Sequence, residues 1–309
     1  MALALWIDTD PGFDDLAAIT LAAARPELNL LGLGVVAGNA PLSRTLDNAL
    51  RLAQVLQLEC PVYEGCDRSI LGHAESAENL LGLGALGSLG RRLPPATRGS
   101  EPGHAALELI RAAQTYPGEL TLVAIAPLTN VALAMRLEPQ LPELLREIVL
   151  MGGSTNQGNH TAAAEFNIYA DPEAAAVVFG SGARISMFGL NLTRQVLLRA
   201  EHVEQVRQSS SPNAGLWADH LGYYLRIRDQ TGRGSMPLHD PVTVAYLLAP
   251  ELFSLVPAQV SVELWGKHSR GATVCEFRVP DRGEANARVA TGVDGEAVMA
   301  MVLEAFARF

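Results

Sequence analysis

The chain has 309 residues, of which 49% are hydrophobic and 18% charged. That is apolar material for a large core, and too little charge for a disordered chain. The length suits a single α/β domain over residues 1–309, and a net charge of -10 argues against nucleic acid as a partner, because an acidic surface repels phosphates.

Leu3 to Ile7 opens the chain as an apolar strand. It has no basic flank and no small-residue cleavage site, so it reads as structure and not as a signal peptide. Asp14 to Ala24 follows as a helix, and Leu30 to Val36 as a second strand. Leu42 to Leu56 is a helix by its apolar positions at 42, 46, 49, 50, 53 and 56. Beyond it the segment Gly65 to Gly103 is rich in Gly and Pro and reads as a long surface excursion or a lid. Helix and strand then alternate: helix Ala105–Gln114, strand Leu120–Ile125, helix Leu128–Met135, strand Glu147–Met151, helix Pro172–Phe179, strand Ile185–Phe188. Such alternation implies crossover connections, hence a mostly parallel central sheet flanked by helices.

The last third changes character. Glu201–Gln208, Leu216–Gln230 and Pro241–Leu248 are helical, and Gln259–Leu264 with Thr273–Val279 alternates like a small antiparallel pair. Gly295–Phe306 closes the chain as a helix. No run is long enough to cross a bilayer, so no membrane partner is expected. Cys60, Cys66 and Cys275 are odd in number and lack the close spacing of zinc sites, which points to a reduced, cytoplasmic protein.

The chemistry concentrates in Asp8-Thr9-Asp10-Pro11-Gly12-Phe13-Asp14-Asp15, four carboxylates at the carboxyl end of the first strand. Open α/β sheets bind ligands at that edge. Pro11 and Gly12 turn the chain so that Asp10 and the Asp14–Asp15 pair aim at one point. Gathered carboxylates repel unless a cation or shared protons offset them. A hard divalent ion suits oxygen donors, and calcium tolerates an irregular shell better than magnesium. The bland alternative has Asp14 capping the next helix, Asp15 favouring its dipole, and Asp8 and Asp10 solvated. Leu238-His239-Asp240-Pro241 adds a distant acid, which by itself reads as a helix cap. Met151-Gly152-Gly153 through Asn159, then Glu165-Phe166-Asn167, supplies amides and a carboxylate suited to sugar hydroxyls, and Asn39 follows the second strand.

In order along the chain, Asp8–Asp15, Gly38-Asn39, Ala126-Pro127-Leu128-Thr129-Asn130, Met151-Gly152-Gly153, Gly158-Asn159, Ala164–Ile168, Asp171–Ala175 and Leu238–Pro241 resemble the inosine–uridine-type nucleoside hydrolases. The resemblance implies hydrolysis of ribonucleosides, purine or pyrimidine, to ribose and free base. It implies calcium held by Asp10, Asp15, Asp240 and the carbonyl of Ile125. Asp14, Asn39, Asn159, Glu165 and Asn167 would grip the ribose, with Met151 and Phe166 lining the pocket. Homo-oligomers, dimers or tetramers, are common in the family. Many members carry a His-Gly pair where this chain has Glu78-Asn79; the nearest histidine is His73.

The mechanism expected from these residues has Asp10 activating a calcium-bound water, with His239 protonating the leaving base. Tyr223 and Tyr224 lie before the His-Asp pair, one of them suited to stacking and at least one to the core. Three rival readings fit parts of this pattern. A haloacid-dehalogenase-type phosphatase matches Asp8-x-Asp10 but leaves Asp14-Asp15 unexplained. Gly82-Leu-Gly-Ala-Leu-Gly87 is a formal dinucleotide motif without the strand that such a motif needs. A calcium-dependent nucleoside- or sugar-binding protein without catalysis would use the same ligands.

Overall fold

Side chains of the first strand, β1 (Leu3–Thr9), divide between two cores. Leu5 and Ile7 enter one buried cluster while Ala4 and Trp6 enter the other. Alternate side chains leave opposite faces of a strand, so a strand apolar at every position is covered on both sides. The computed structural model describes residues 2–229 and 235–309, so Gln230, the last residue of one expected helix, lies outside the described residues.

The remaining strands are β2 (Leu28–Val35), β3 (Val62–Glu64), β4 (Glu101–His104), β5 (Leu120–Ala124), β6 (Leu145–Met151), β7 (Ile185–Phe188), β8 (Leu197–Arg199), β9 (Ser235–Pro237), β10 (Phe253–Val262), β11 (Thr273–Glu276) and β12 (Ala287–Val293). Among the described residues ten of them form one sheet in the order β11-β10-β12-β7-β6-β5-β1-β2-β3-β4, and β8 pairs with β9. From β12 through β4 the pairings are parallel; β10 runs antiparallel to both β12 and β11. Helices Phe13–Ala23, Leu42–Val55, Ala214–Asp229, Pro241–Leu248 and Gly295–Arg308 cover one face through residues such as Leu16, Leu52, Trp217, Val242 and Val298. Helices Ala105–Thr115, Thr129–Leu137 and Pro172–Phe179 cover the other through Leu109, Val131 and Val178.

Every helix and strand expected from periodicity forms, and the described ends shift by at most three residues except in β10, which starts at Phe253, six residues before the expected Gln259. The expected antiparallel pair forms with Gln259 opposite Glu276 and Val262 opposite Thr273. It is not a separate appendage, because β12 joins it to the parallel sheet by pairing with β7. Three strands of the main sheet were not anticipated. β3 and β4 have three and four residues, too few to display a period of two. In β12 the alternation breaks, because Val289 and Ala290 are both buried and the register against β10 shifts between Ala290 and Gly292, so no period of two runs through the strand.

The topology places the site. From β1 the chain steps outward through β2, β3 and β4, then returns to place β5 on the other side of β1. The direction of winding therefore reverses beside β1, and the connections on either side leave a crevice at its carboxyl end.

Candidate active site

The turn after β1 is built around its own carboxylates. Gly12, not Asp14, is the N-cap of helix Phe13–Ala23. Asp15, in the first helical turn, accepts hydrogen bonds from the Gly12 backbone N–H at 2.9 Å and from the Thr9 hydroxyl. The reading of Asp8 and Asp10 as solvated is overturned: they are 1% and 0% exposed. Asp10 Oδ2 accepts the Asn39 backbone N–H at 2.6 Å, and the Asn39 side-chain amide donates to Asp10 O and Asp15 Oδ2. Asp10 Oδ1 is buried and has no hydrogen-bond partner among the described residues. Gly38 makes this close approach feasible, since a Cβ there would collide with the Asp10 carboxylate and lie 2.8 Å from Pro127.

Asp240 reaches the same place from the other end of the chain. The β8–β9 pair and a Leu238 N–H to Val196 O bond of 2.9 Å hold the strand that delivers it. Asp240 occupies the N-cap of helix Pro241–Leu248, but its side chain makes no capping hydrogen bond, so the simple cap reading fails. Its carboxylate is 3% exposed and faces inward. Asp14, Asp15 and Asp240 each present an oxygen within 4.8 Å of the others, a spacing suited to one shared cation. This tightest triangle contains Asp14 where the resemblance pointed to Asp10; Asp10 feels the charges of Asp15 and Asp14 from beside it.

Burial, reinforced by the neighbouring carboxylates, raises Asp10 and Asp240 well above the usual carboxylate range. Burial and the adjacent Asp15 push Asp14 up to about 7. Asp15 is raised by burial and partly relieved by Thr9 and Gly12. Asp10 and Asp15 accept hydrogen bonds from Thr9, Gly12, Asn39 and the Asp10 backbone N–H, and Asp14 accepts from the His239 backbone. Carboxylates gathered in one largely buried place are unfavourable unless a cation or shared protons offset them. An all-oxygen donor set with an orphaned carboxylate oxygen therefore fits a hard divalent cation.

A cavity of about 330 Å³ opens above the cluster. Its lining contains Asp14, Asn39, Ile125, Met151, Asn159, Glu165, Phe166, Asn167, His239 and Asp240, so residues far apart in the chain converge. Asp10 and Asp15, both fully buried, are not part of this lining. Glu165 caps the short helix Phe166–Ala170, accepting the N–H groups of Asn167 and Ile168 as well as that of Gly153, and burial pushes it up to about 7. Asn159 Oδ1 accepts the Phe166 N–H at 2.9 Å, and Asn167 donates to Met151 O at 3.1 Å. The His239 ring is held by Thr193, with Oγ1 and Nδ1 2.7 Å apart, and the His239 backbone hydrogen-bonds Asp14.

Several lining residues were not anticipated. Arg194 follows β7 and ties its guanidinium to Gly158 O at 2.7 Å. His160 stands against Tyr169, with ring centroids 4.5 Å apart, and its Nε2 lies 3.8 Å from a carboxylate oxygen of Glu75. The rule that ligands meet strand carboxyl ends points to the loop after β7, but not to one side chain within it. Of the two tyrosines, Tyr224 is buried, lines the cavity and donates to Pro237 O at 3.0 Å. Tyr223 packs under the Gly82–Gly87 turn, which lies on the surface and follows no long strand. Glu78 is spent inside its own loop, accepting the Gly84 N–H at 2.6 Å, whereas Asn79 and Leu80 border the cavity. His73 is exposed and outside the lining. The Gly65–Gly103 segment thus contributes one wall of the cavity, docked through Ala77 N–H to Asn39 O and Leu89 N–H to Asp219 O.

A largely buried acid cluster beneath a pocket lined by both polar and apolar groups, at the switch point of a mostly parallel sheet, defines an α/β protein with a site for a small ligand. The sequence profile of the inosine-uridine preferring nucleoside hydrolases matches residues 5–300. The pyrimidine-specific ribonucleoside hydrolase RihB of Escherichia coli is 37% identical over 299 residues, 96% of this chain and 95% of that protein. Among solved structures, a plant nucleoside hydrolase superposes with a TM-score of 0.92 at 31% identity, covering 99% of each chain. The purine-preferring ribonucleoside hydrolase of Gardnerella vaginalis superposes with a TM-score of 0.92 at 30% identity, covering 98% of each. The chain belongs to the inosine-uridine preferring nucleoside hydrolase family, and its enzyme class is ribonucleoside hydrolase.

Proposed function

We propose that the chain, acting as one domain, hydrolyses the C1′–N bond of purine or pyrimidine ribonucleosides with calcium in the acid cluster and Asp10 as general base. The observation that carries this is the Asp10 carboxylate: fully buried, one oxygen without a partner, beside three further acids at the base of the pocket. Asp10, Asp15, Asp240 and the Ile125 carbonyl would hold the ion, with Asp14 close by. When bound, calcium would supply a positive centre that makes a water easier to ionise and attracts the vicinal ribose hydroxyls.

The chain's own residues do the rest. Asn39 fixes the Asp10 carboxylate so that its free oxygen can take a proton from the attacking water. Asp14, Asn159, Glu165 and Asn167 orient the ribose by hydrogen bonds, while Met151 and Phe166 give its apolar edge a surface. The carboxylates place negative potential beside the sugar cation that develops as the bond breaks. Thr193 holds the imidazole of His239, whose proton neutralises the departing base.

The reading is tested by ribose release from inosine, adenosine, uridine and cytidine, followed by a reducing-sugar assay. Release of ribose from any of them supports it. Binding without release favours the calcium-dependent binding protein instead. The two characterised relatives differ in base preference, so the panel also assigns the base. His239→Ala should slow a purine nucleoside by about 100-fold, and spare a nitrophenyl riboside, whose leaving group departs without a proton. Equal loss on both substrates removes His239 from the acid role. A cytoplasmic setting, in keeping with three free cysteines, and a homo-oligomer, dimer or tetramer, belong to the same proposal.

A further inference from the structure

The geometry points to Asn130 as a positioning residue that sets the Asp10 carboxylate by tying together the ends of the three neighbouring strands β1, β2 and β3. This deepens the hydrolase reading above and rests on it for the identity of the reaction.

Asn130 lies at the start of helix Thr129–Leu137 and is 0% exposed. Its side-chain amide spends every group on a different strand end. Nδ2 donates to Asp8 Oδ2 in β1 at 3.0 Å and to Val35 O at the end of β2 at 3.3 Å. Oδ1 accepts the backbone N–H of Cys66, two residues past β3, at 2.8 Å. Gly65 and Gly34 leave the space: a Cβ at Gly65 would land on the Asn130 amide, and one at Gly34 would lie 2.6 Å from Asp8 Oδ2. A buried amide satisfied on three sides, in a socket walled by glycines, has one orientation available.

The consequence reaches the site through the backbone. Cys66 O accepts the Ala37 N–H at 3.0 Å, and Val36 N–H donates to Thr9 O at 3.0 Å. These bonds shape the Ala37–Asn39 turn, whose Asn39 N–H holds Asp10 Oδ2 at 2.6 Å. Asn39 O in turn accepts the N–H of Ala77, the residue that brings the Ala77–Leu81 wall to the cavity. Asn130 touches neither the cavity nor the acid cluster, yet it props the turn that orients the base and the wall beside it.

Asn130→Asp tests this. The isosteric carboxylate still accepts from Cys66 but faces Asp8 with an acceptor instead of a donor. Expected are a loss of kcat/KM of about 10- to 100-fold and faster amide exchange in segments 36–40 and 66–81, with helix Gly295–Arg308 keeping its protection. The double variant Asp8→Asn with Asn130→Asp restores a donor–acceptor pair and should recover both readouts. Asn130→Ser, which removes the amide without adding charge, is read in the same way if the aspartate variant does not fold. Unchanged exchange in segments 36–40 and 66–81 of a folded variant overturns the proposal, as does exchange raised equally in the closing helix. Should the parent chain release no ribose, the hydrolase reading fails, and the exchange comparison alone decides the role of Asn130.

Discussion

Asp10→Ala is expected to lose kcat by about 1,000-fold or more while keeping the fold, because on the proposed reading a general base and a cation ligand vanish together. A thousandfold loss corresponds to about 4 kcal/mol of transition-state stabilisation. The structure adds a second expectation. Asp10 is raised well above the usual carboxylate range by burial and by the facing Asp15 and Asp14, so without cation its charge is a liability to the fold. Removing it should leave the cation-free melting temperature equal to or above that of the parent, whereas an ordinary buried polar deletion lowers it. Turnover assays and thermal melts with a chelator measure both. Near-normal turnover would eliminate Asp10 as the base, and a large fall in melting temperature would mean that the carboxylate serves structure instead.

Chelating divalent ions from the parent is expected to abolish turnover, and to lower the melting temperature more at pH 8 than at pH 5.5. The sign follows from the folded-state pKa values. Asp14 is pushed up to about 7, and Asp10 and Asp240 well above 3.8, with burial the first cause in each. Groups raised on folding contribute stability as neutral acids. That contribution is complete below about pH 4 and is lost as pH rises through the folded-state values, near 7 for Asp14. A cation needs the ionised acids, so its contribution grows over the same window. An ion at 100 times its dissociation constant adds about 2.7 kcal/mol, or about 5 °C in a chain of this size. Identical melts with and without chelator at pH 8, together with unaltered turnover, would remove the cation from the proposal. Restoration by calcium but not magnesium would assign the ion.

Strand β1 and the turn after it were legible in the sequence because the information is local. A run apolar at every position predicts a strand buried on both faces, and Pro11-Gly12 ends it beside four acids. The helices that pack on β1 carry their own period, so their existence was readable while their ends shifted by a residue or two. β3 and β4 escaped, since three or four residues cannot show a period and their pairing is set by neighbours distant in the chain. Arg194 and His160 escaped for a related reason: a lone polar residue in a loop has no pattern, and only the packing of other segments makes it part of a wall.

By itself the sequence determined the α/β class, the position of the acid-rich turn and the family, since each is written in short-range periodicity or in ordered motifs. Tertiary structure decided which acids face one another: Asp14, Asp15 and Asp240 form the closest group, Asp10 stands beside them with an unpartnered oxygen, and Asp8 turns away to Asn130. The physical reason is that carboxylates of identical composition differ only in burial and in what faces them, and both are set by segments more than 200 residues apart, as Asp15 and Asp240 show.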